Sequence, residues 1–190
     1  MTAAPRLTRT QWLDLALGEL SRAGPEALKL DAICIAAGKT KGSFYHHFAD
    51  HDAFLLAVTR RWIDVQTERL AEQFPTKGMR ESDLREILGA ILQIDFRLEA
   101  AIRHLAETHD GVANLVRETD IRRMDLTADV YAQRFELDDA CARDLALVDY
   151  AAFLGLAVIA PEMSPERHMQ LYDLYDEMVL ARYGPSKLED

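Results

Sequence analysis

Cysteine is scarce in this sequence: Cys34 and Cys141 are the only two in 190 residues. Two thiols far apart in the chain make no disulfide framework, and neither has a histidine at metal-ligand spacing. Long apolar runs are lacking as well. The longest, residues 150–161, is too short to cross a bilayer. Residues 1–5 lack the apolar core of a secretory leader, so the expected compartment is the cytoplasm. There is no Gly-x-Ser-x-Gly, no phosphate-binding loop and no dinucleotide fingerprint. None of the six histidines follows a glutamate by three positions, which excludes the di-iron bundle pattern. His104 and His109 stand five apart, on different faces of a helix. No catalytic constellation, metal or other cofactor is expected.

Positive charge is also in deficit, with 22 Lys and Arg against 32 Asp and Glu, a net charge of −10. The deficit is uneven. Residues 1–63 hold eight Lys/Arg, six Asp/Glu and three of the histidines; the remainder holds 14 against 26. The repulsion that a phosphate backbone would meet is confined to the second part of the chain. A hydrophobic content of 49% is enough to bury a core. Together these features favour two domains.

Residues 31–48 carry the densest local signal. Asp31 can cap a short helix whose apolar positions are Ala32, Ile33, Ala36 and Ala37. Gly38 supplies the left-handed residue that ends it. Thr40 then caps the next helix. Phe44 and Phe48 stand four apart and share its buried face. Lys41, Ser43, Tyr45, His46 and His47 are left outside: one cation, two hydroxyls and two imidazoles. An apolar underside with a donor-rich outer face describes a recognition helix.

The string Gly38-x-Thr40-Lys41-Gly42-Ser43-Phe44-Tyr45-x-His47-Phe48 resembles the helix-turn-helix of the TetR family of bacterial transcription regulators, most sharply over about residues 8–62. Lys39, Ile35 and His51 depart from the family pattern, which usually has an apolar, a polar or basic, and a lysine residue there. The resemblance implies an all-α homodimer of about nine helices per chain. A helix-turn-helix DNA-binding domain would occupy residues 1–50, and a ligand-binding and dimerisation domain residues 51–190, with the helix over 51–74 connecting them. It implies a repressor released from a palindromic DNA operator by a small-molecule effector. Arg6, Arg9, Thr40 and Tyr45 would then lie near phosphates. Lys41, Ser43 and His46 would face base edges, His47 a base or the backbone, with Gly42 and His51 on the same surface. The competing reading is a helical-bundle carrier or enzyme that keeps a vestigial DNA-binding head.

The rest of the chain reads as helices. Thr8 and Gln11 form a capping box before the stripe Leu13, Ala16, Leu17 and Leu20, which Gly24-Pro25 stops. Asp50 caps a helix expected to run unbroken to about Phe74 and end at residues 75–78. Ser82 opens another, with Leu84, Ile87, Leu88, Ile91 and Leu92 on one face, and Asp95 starts a third that Asp110-Gly111 should end. Helices over 112–135, 139–160 and from Ser164 follow, and Arg103 is expected to pair with Asp120 or Glu107. The second half of the 139–160 helix is apolar all round and must be buried on two sides. Ala151, Ala152 and Gly155, with Leu171, Tyr175 and Met178 on the last helix, are the expected dimer seam. Candidates for a ligand cavity are Trp62, Gln66, Phe96, His104, Met124, Tyr131, Tyr150 and Phe153, with Trp62 more simply a packing residue.

Overall fold

Side-chain caps fix where five of the helices begin. The computed structural model describes residues 7–72, 74, 75, 78–91 and 93–189. Thr8 opens α1 (Arg9–Ala23) with the expected capping box, its hydroxyl accepting from the Gln11 amide while Gln11 Oε1 accepts from the Thr8 amide. α2 (Leu30–Ala37), α3 (Lys41–Tyr45) and α4 (His51–Ile63) follow. Gly38 closes α2 at φ 60°, ψ 35°, the left-handed conformation that the turn needs. Thr40 caps α3, and Asp50 caps α4 by accepting from the Ala53 amide at 2.7 Å. Asp31 is not the cap of α2. That helix starts after Lys29, and Asp31 sits in its first turn, where the helix dipole favours a carboxylate.

The helix from Asp50 does not run unbroken to Phe74. Regular α-helix stops at Ile63; a π-helical turn, Asp64–Glu68, and one more α-turn, α5 (Arg69–Ala71), continue it. The cause shows in the burial pattern. Val58 and Trp62 are buried four apart, but the next buried residue is Thr67, five further on, while Val65 is exposed. A π turn is the local insertion that resets the buried stripe in this way.

α6 (Glu81–Ile91), α7 (Phe96–Ala106), α8 (Asp110–Phe135), α9 (Asp139–Ile159) and α10 (Pro165–Tyr183) complete the chain. With α5 counted as part of α4, nine helices and no named strand occur among the described residues. Asp110 opens α8 where it was expected to end the preceding helix, because α7 has already stopped at Ala106. Asp138 and Ser164 cap α9 and α10 by accepting from the Cys141 and Arg167 amides. The arm over residues 1–6 and the place of Leu92 lie outside the described residues, as does part of the turn over 75–78.

Packing divides the chain into two units. The first comprises residues 1–64 and 97–117; the second, residues 65–96 and 118–190. α4 places Phe54, Leu55, Val58 and Trp62 in one core with Trp12, Leu20, Ile33 and Phe44, and α7 adds Leu98, Ile102 and Leu105 to it. Sequence periodicity showed an apolar face on each helix without saying which faces meet. Arg103 pairs with the fully buried Glu99, one turn earlier, at 2.8 Å.

Phe44 is fully buried, edge-on to Trp12 (5.8 Å, 85°) and Phe54 (5.0 Å, 68°) and 5.1 Å from Phe48. Phe44→Ala is expected to destabilise the first unit by about 3–5 kcal/mol. Urea unfolding followed by tryptophan fluorescence checks this cleanly, since the chain's two tryptophans, Trp12 and Trp62, are both in that unit's core.

Candidate nucleic-acid interface and candidate ligand cavity

In the first unit, α3 is only five residues long, so its position is set by what it buries. Phe44 and Phe48 face inward; Lys41, Gly42, Tyr45 and His46 are exposed, and Ser43 and His47 are half-buried. Of the expected donor set, Lys41, Tyr45 and His46 therefore reach solvent fully, and Ser43 and His47 in part. The His46 and His47 rings stand edge to face at 5.0 Å. The exposed Arg9 lays its guanidinium over the Phe48 ring, 5.3 Å from the centroid, which holds a cation beside α3. Arg6 lies outside the described residues.

Two of the expected residues have partners within the head. Lys41 Nζ is 2.6 Å from the Asp31 carboxylate, an exposed pair whose hydrogen bond raises the lysine pKa. His51 places Nε2 2.8 Å from the Leu28 carbonyl oxygen, tying the start of α4 to the 3-10 turn Pro25–Leu28. Its ring is thus a tie between two turns of the head. Gly42 has a different character. A Cβ there would meet only Thr40 Oγ1, at 3.7 Å, an ordinary contact. Nothing among the described residues requires glycine at this exposed helical position, where it costs roughly 0.5–1 kcal/mol relative to alanine.

In the second unit, a cavity of about 440 Å³ opens between helices. Gln66, Thr67, Leu70 and Phe74 form one wall, Leu88 and Ile91 of α6 and Leu126 of α8 another. α9 contributes Asp149, Tyr150, Phe153 and Leu156, and α10 contributes His168, Tyr172 and Tyr175. Size and apolar walls are those of a small-molecule site. The π turn contributes to it directly: Thr67 Oγ1 accepts from Arg123 Nε at 2.9 Å, and both residues line the cavity.

Of the expected ligand residues, Gln66, Tyr150 and Phe153 line this cavity. Trp62 belongs to the core of the first unit, as its packing reading had it. Phe96 lies behind the wall, against Phe153 at 5.4 Å and His168 at 4.8 Å. Tyr131 is one hydrogen bond removed, donating to Asp149 at 3.2 Å. Met124 is half-buried off the lining, and His104 is exposed, with Nδ1 3.1 Å from Glu107. Of the six expected seam residues, Ala152, Gly155, Leu171 and Tyr175 also line the cavity, and Ala151, Ala152 and Met178 are exposed. The residue most clearly missed is Asp149. A single carboxylate within the apolar stretch 145–156 was a visible signal, and burial pushes it up to about 6. Among the described residues no group of three or more His, Cys, Asp or Glu side chains could hold a metal, and no helix is long and apolar enough to cross a membrane.

Residues 13–58 match the family described as bacterial regulatory proteins, tetR family. A search of curated proteins by sequence returned no match. Among solved structures, the chain is similar to a transcriptional regulator from Rhodococcus sp. Rha1 (TM-score 0.75, 21% identity, covering 94% of this chain and 98% of that one). It is also similar to a regulator from Saccharomonospora viridis in complex with choline (0.71, 17%, 94% and 97%) and to Salmonella enterica GusR (0.67, 20%, 96% and 98%). At these identities the agreement is one of fold.

Asp31→Asn is expected to tighten binding to duplex DNA of any sequence, because it frees Lys41 and removes a negative charge from beside α3. The log–log salt dependence of binding should steepen by about one ion at each head. Unchanged affinity and slope, from fluorescence anisotropy across a salt series, would show that the Lys41 charge does not contribute to DNA binding.

Proposed function

We propose that the chain, whose residues 13–58 match the tetR family of bacterial regulatory proteins, acts in the cytoplasm as a homodimeric repressor that leaves its operator when a small molecule occupies the cavity. The observation that carries the DNA contact is the outward surface of α3. It combines donors with an exposed glycine for which the described residues give no steric reason. Close approach of a partner's backbone is a sufficient reason for that glycine. In this reading residues 1–50 are the DNA-binding head, and residues 51–190 serve ligand binding and dimerisation. Lys41, Ser43 and His46 read base edges; Arg9, Thr40 and Tyr45 hold phosphates, as would Arg6 from the arm.

Dimerisation is supported by apolar side chains that the single chain leaves in water. Leu147, Val148 and Val158 on α9 are 56–67% exposed, and Leu174 and Met178 on α10 are 56% and 63% exposed. Exposed apolar surface of this extent on two helices marks an association face. The ligand response is a population shift. A ligand that touches Gln66 and Thr67 favours one arrangement of the π turn, and with it a dimer whose heads are wrongly spaced for adjacent major grooves.

The test is a titration against duplexes from the gene's own upstream region at ~0.15 M salt. Wild type should prefer one two-half-site duplex over random DNA by about 10³-fold or more. Gly42→Ala should melt no lower than wild type yet bind that site about tenfold or more less tightly, because the added methyl blocks approach. Val158→Glu should sediment as a monomer and lose the site at concentrations that saturate it with wild type. Absence of any preferred site would overturn the repressor reading in favour of a carrier or enzyme that uses the cavity alone.

A further inference from the structure

Asp149 is the one carboxylate lining the cavity among the described residues. The groups acting on it are known. The Tyr131 hydroxyl of α8 donates to it at 3.2 Å, and the Asp176 carboxylate of α10 repels it. Asp176 is itself paired with the buried Arg134. Tyr172 and Tyr175 of α10 stand near enough for Asp149 to raise their pKa values further, on top of burial. Arg123, the guanidinium on the same wall, is directed to Thr67, and burial lowers the pKa of His168. No cation among the described residues pairs with Asp149.

This arrangement selects by charge. A neutral ligand without an N–H or O–H donor would strip remaining water from Asp149 and return nothing for it, and a neutral donor would return a hydrogen bond but no counter-charge. An anion would be repelled. An organic cation would supply the missing partner and would also find π-faces: Tyr150 and Phe153 lie nearly parallel at 5.9 Å, with Tyr172 and Tyr175 opposite on α10. We propose that the ligand of this cavity is an organic cation with an apolar body, its ammonium held by Asp149 and the surrounding tyrosines. The inference rests on the effector reading of the cavity and adds the chemical class.

The charge state of Asp149 gives the site a second signature. Burial has pushed its carboxyl up to about 6. A bound cation stabilises the ionised form, so proton and ligand compete. Cation affinity is therefore full above that value and falls as pH drops through it.

The probes are 4-phenylbutyltrimethylammonium, its uncharged carbon isostere and a phenylalkyl carboxylate of equal length, titrated calorimetrically into the full chain without DNA. The ammonium should bind about tenfold or more tighter than the isostere, and the carboxylate weakest. Asp149→Asn should bring ammonium and isostere within about twofold and abolish the weakening between pH 7.5 and 5. Tyr131→Phe removes the hydrogen bond that favours the carboxylate, so it should move the midpoint of that weakening to higher pH. An isostere or carboxylate that binds as tightly as the ammonium, or an ammonium affinity untouched by Asp149→Asn, overturns the proposal. Operator release is read separately. An ammonium that binds as described without weakening the operator complex keeps the cation site and overturns its effector role. An uncharged compound that enters the cavity and releases DNA keeps the effector role and overturns the cation.

Discussion

A helix of five residues has no stability of its own in water, since nucleation costs more than one turn of hydrogen bonds returns. α3 exists because Phe44 and Phe48 bury themselves against Trp12 and Phe54. The outward surface follows from that anchoring. With the two phenylalanines fixed, the 3.6-residue repeat leaves Lys41, Tyr45 and His46 no direction but solvent. The caps at Thr40 and Asp50 and the left-handed Gly38 place the helix ends around the same cluster. Recognition chemistry in this head depends on an aromatic core that touches no DNA in the reading given above.

The second unit shows the opposite economy. Its cavity leaves apolar walls unfilled and holds a carboxylate that packing penalises. An empty apolar space and a buried charge both detract from stability, so a fold selected for stability alone would fill one and remove the other. The π turn belongs with these features. It interrupts a helix whose sequence could have continued regularly, and it delivers Gln66 and Thr67 to the cavity wall.

What the sequence made readable was whatever is encoded locally. Caps at Thr8, Thr40, Asp50 and Ser164, the turn at Gly38 and the inward pair Phe44 and Phe48 all depend on neighbours within a few residues, and all stand as expected. The misplacements share another cause. Asp31 pairs with Lys41 across a turn, and α7 joins the core of α4. Each is a choice among several chemically suitable partners that only tertiary packing makes. The cavity was the hardest part to foresee. Apolar residues such as Gly155, Leu171 and Tyr175 satisfy a dimer seam and a ligand wall equally well in a pattern. Asp149 could have broken that tie, because a carboxylate in an apolar run belongs more naturally to a polar ligand than to a greasy seam.

The central claim is that occupancy of the cavity and occupancy of DNA are coupled in one molecule. Coupling between two binding equilibria is reciprocal, so it can be measured from either side. The direct measurement is the dissociation constant of the trimethylammonium probe for the free dimer and for the dimer saturated with its operator duplex. The account expects the probe to bind the operator complex more weakly, by the same factor by which the probe weakens operator binding. Equal probe affinities in the two states, with both sites demonstrably occupied, would contradict it.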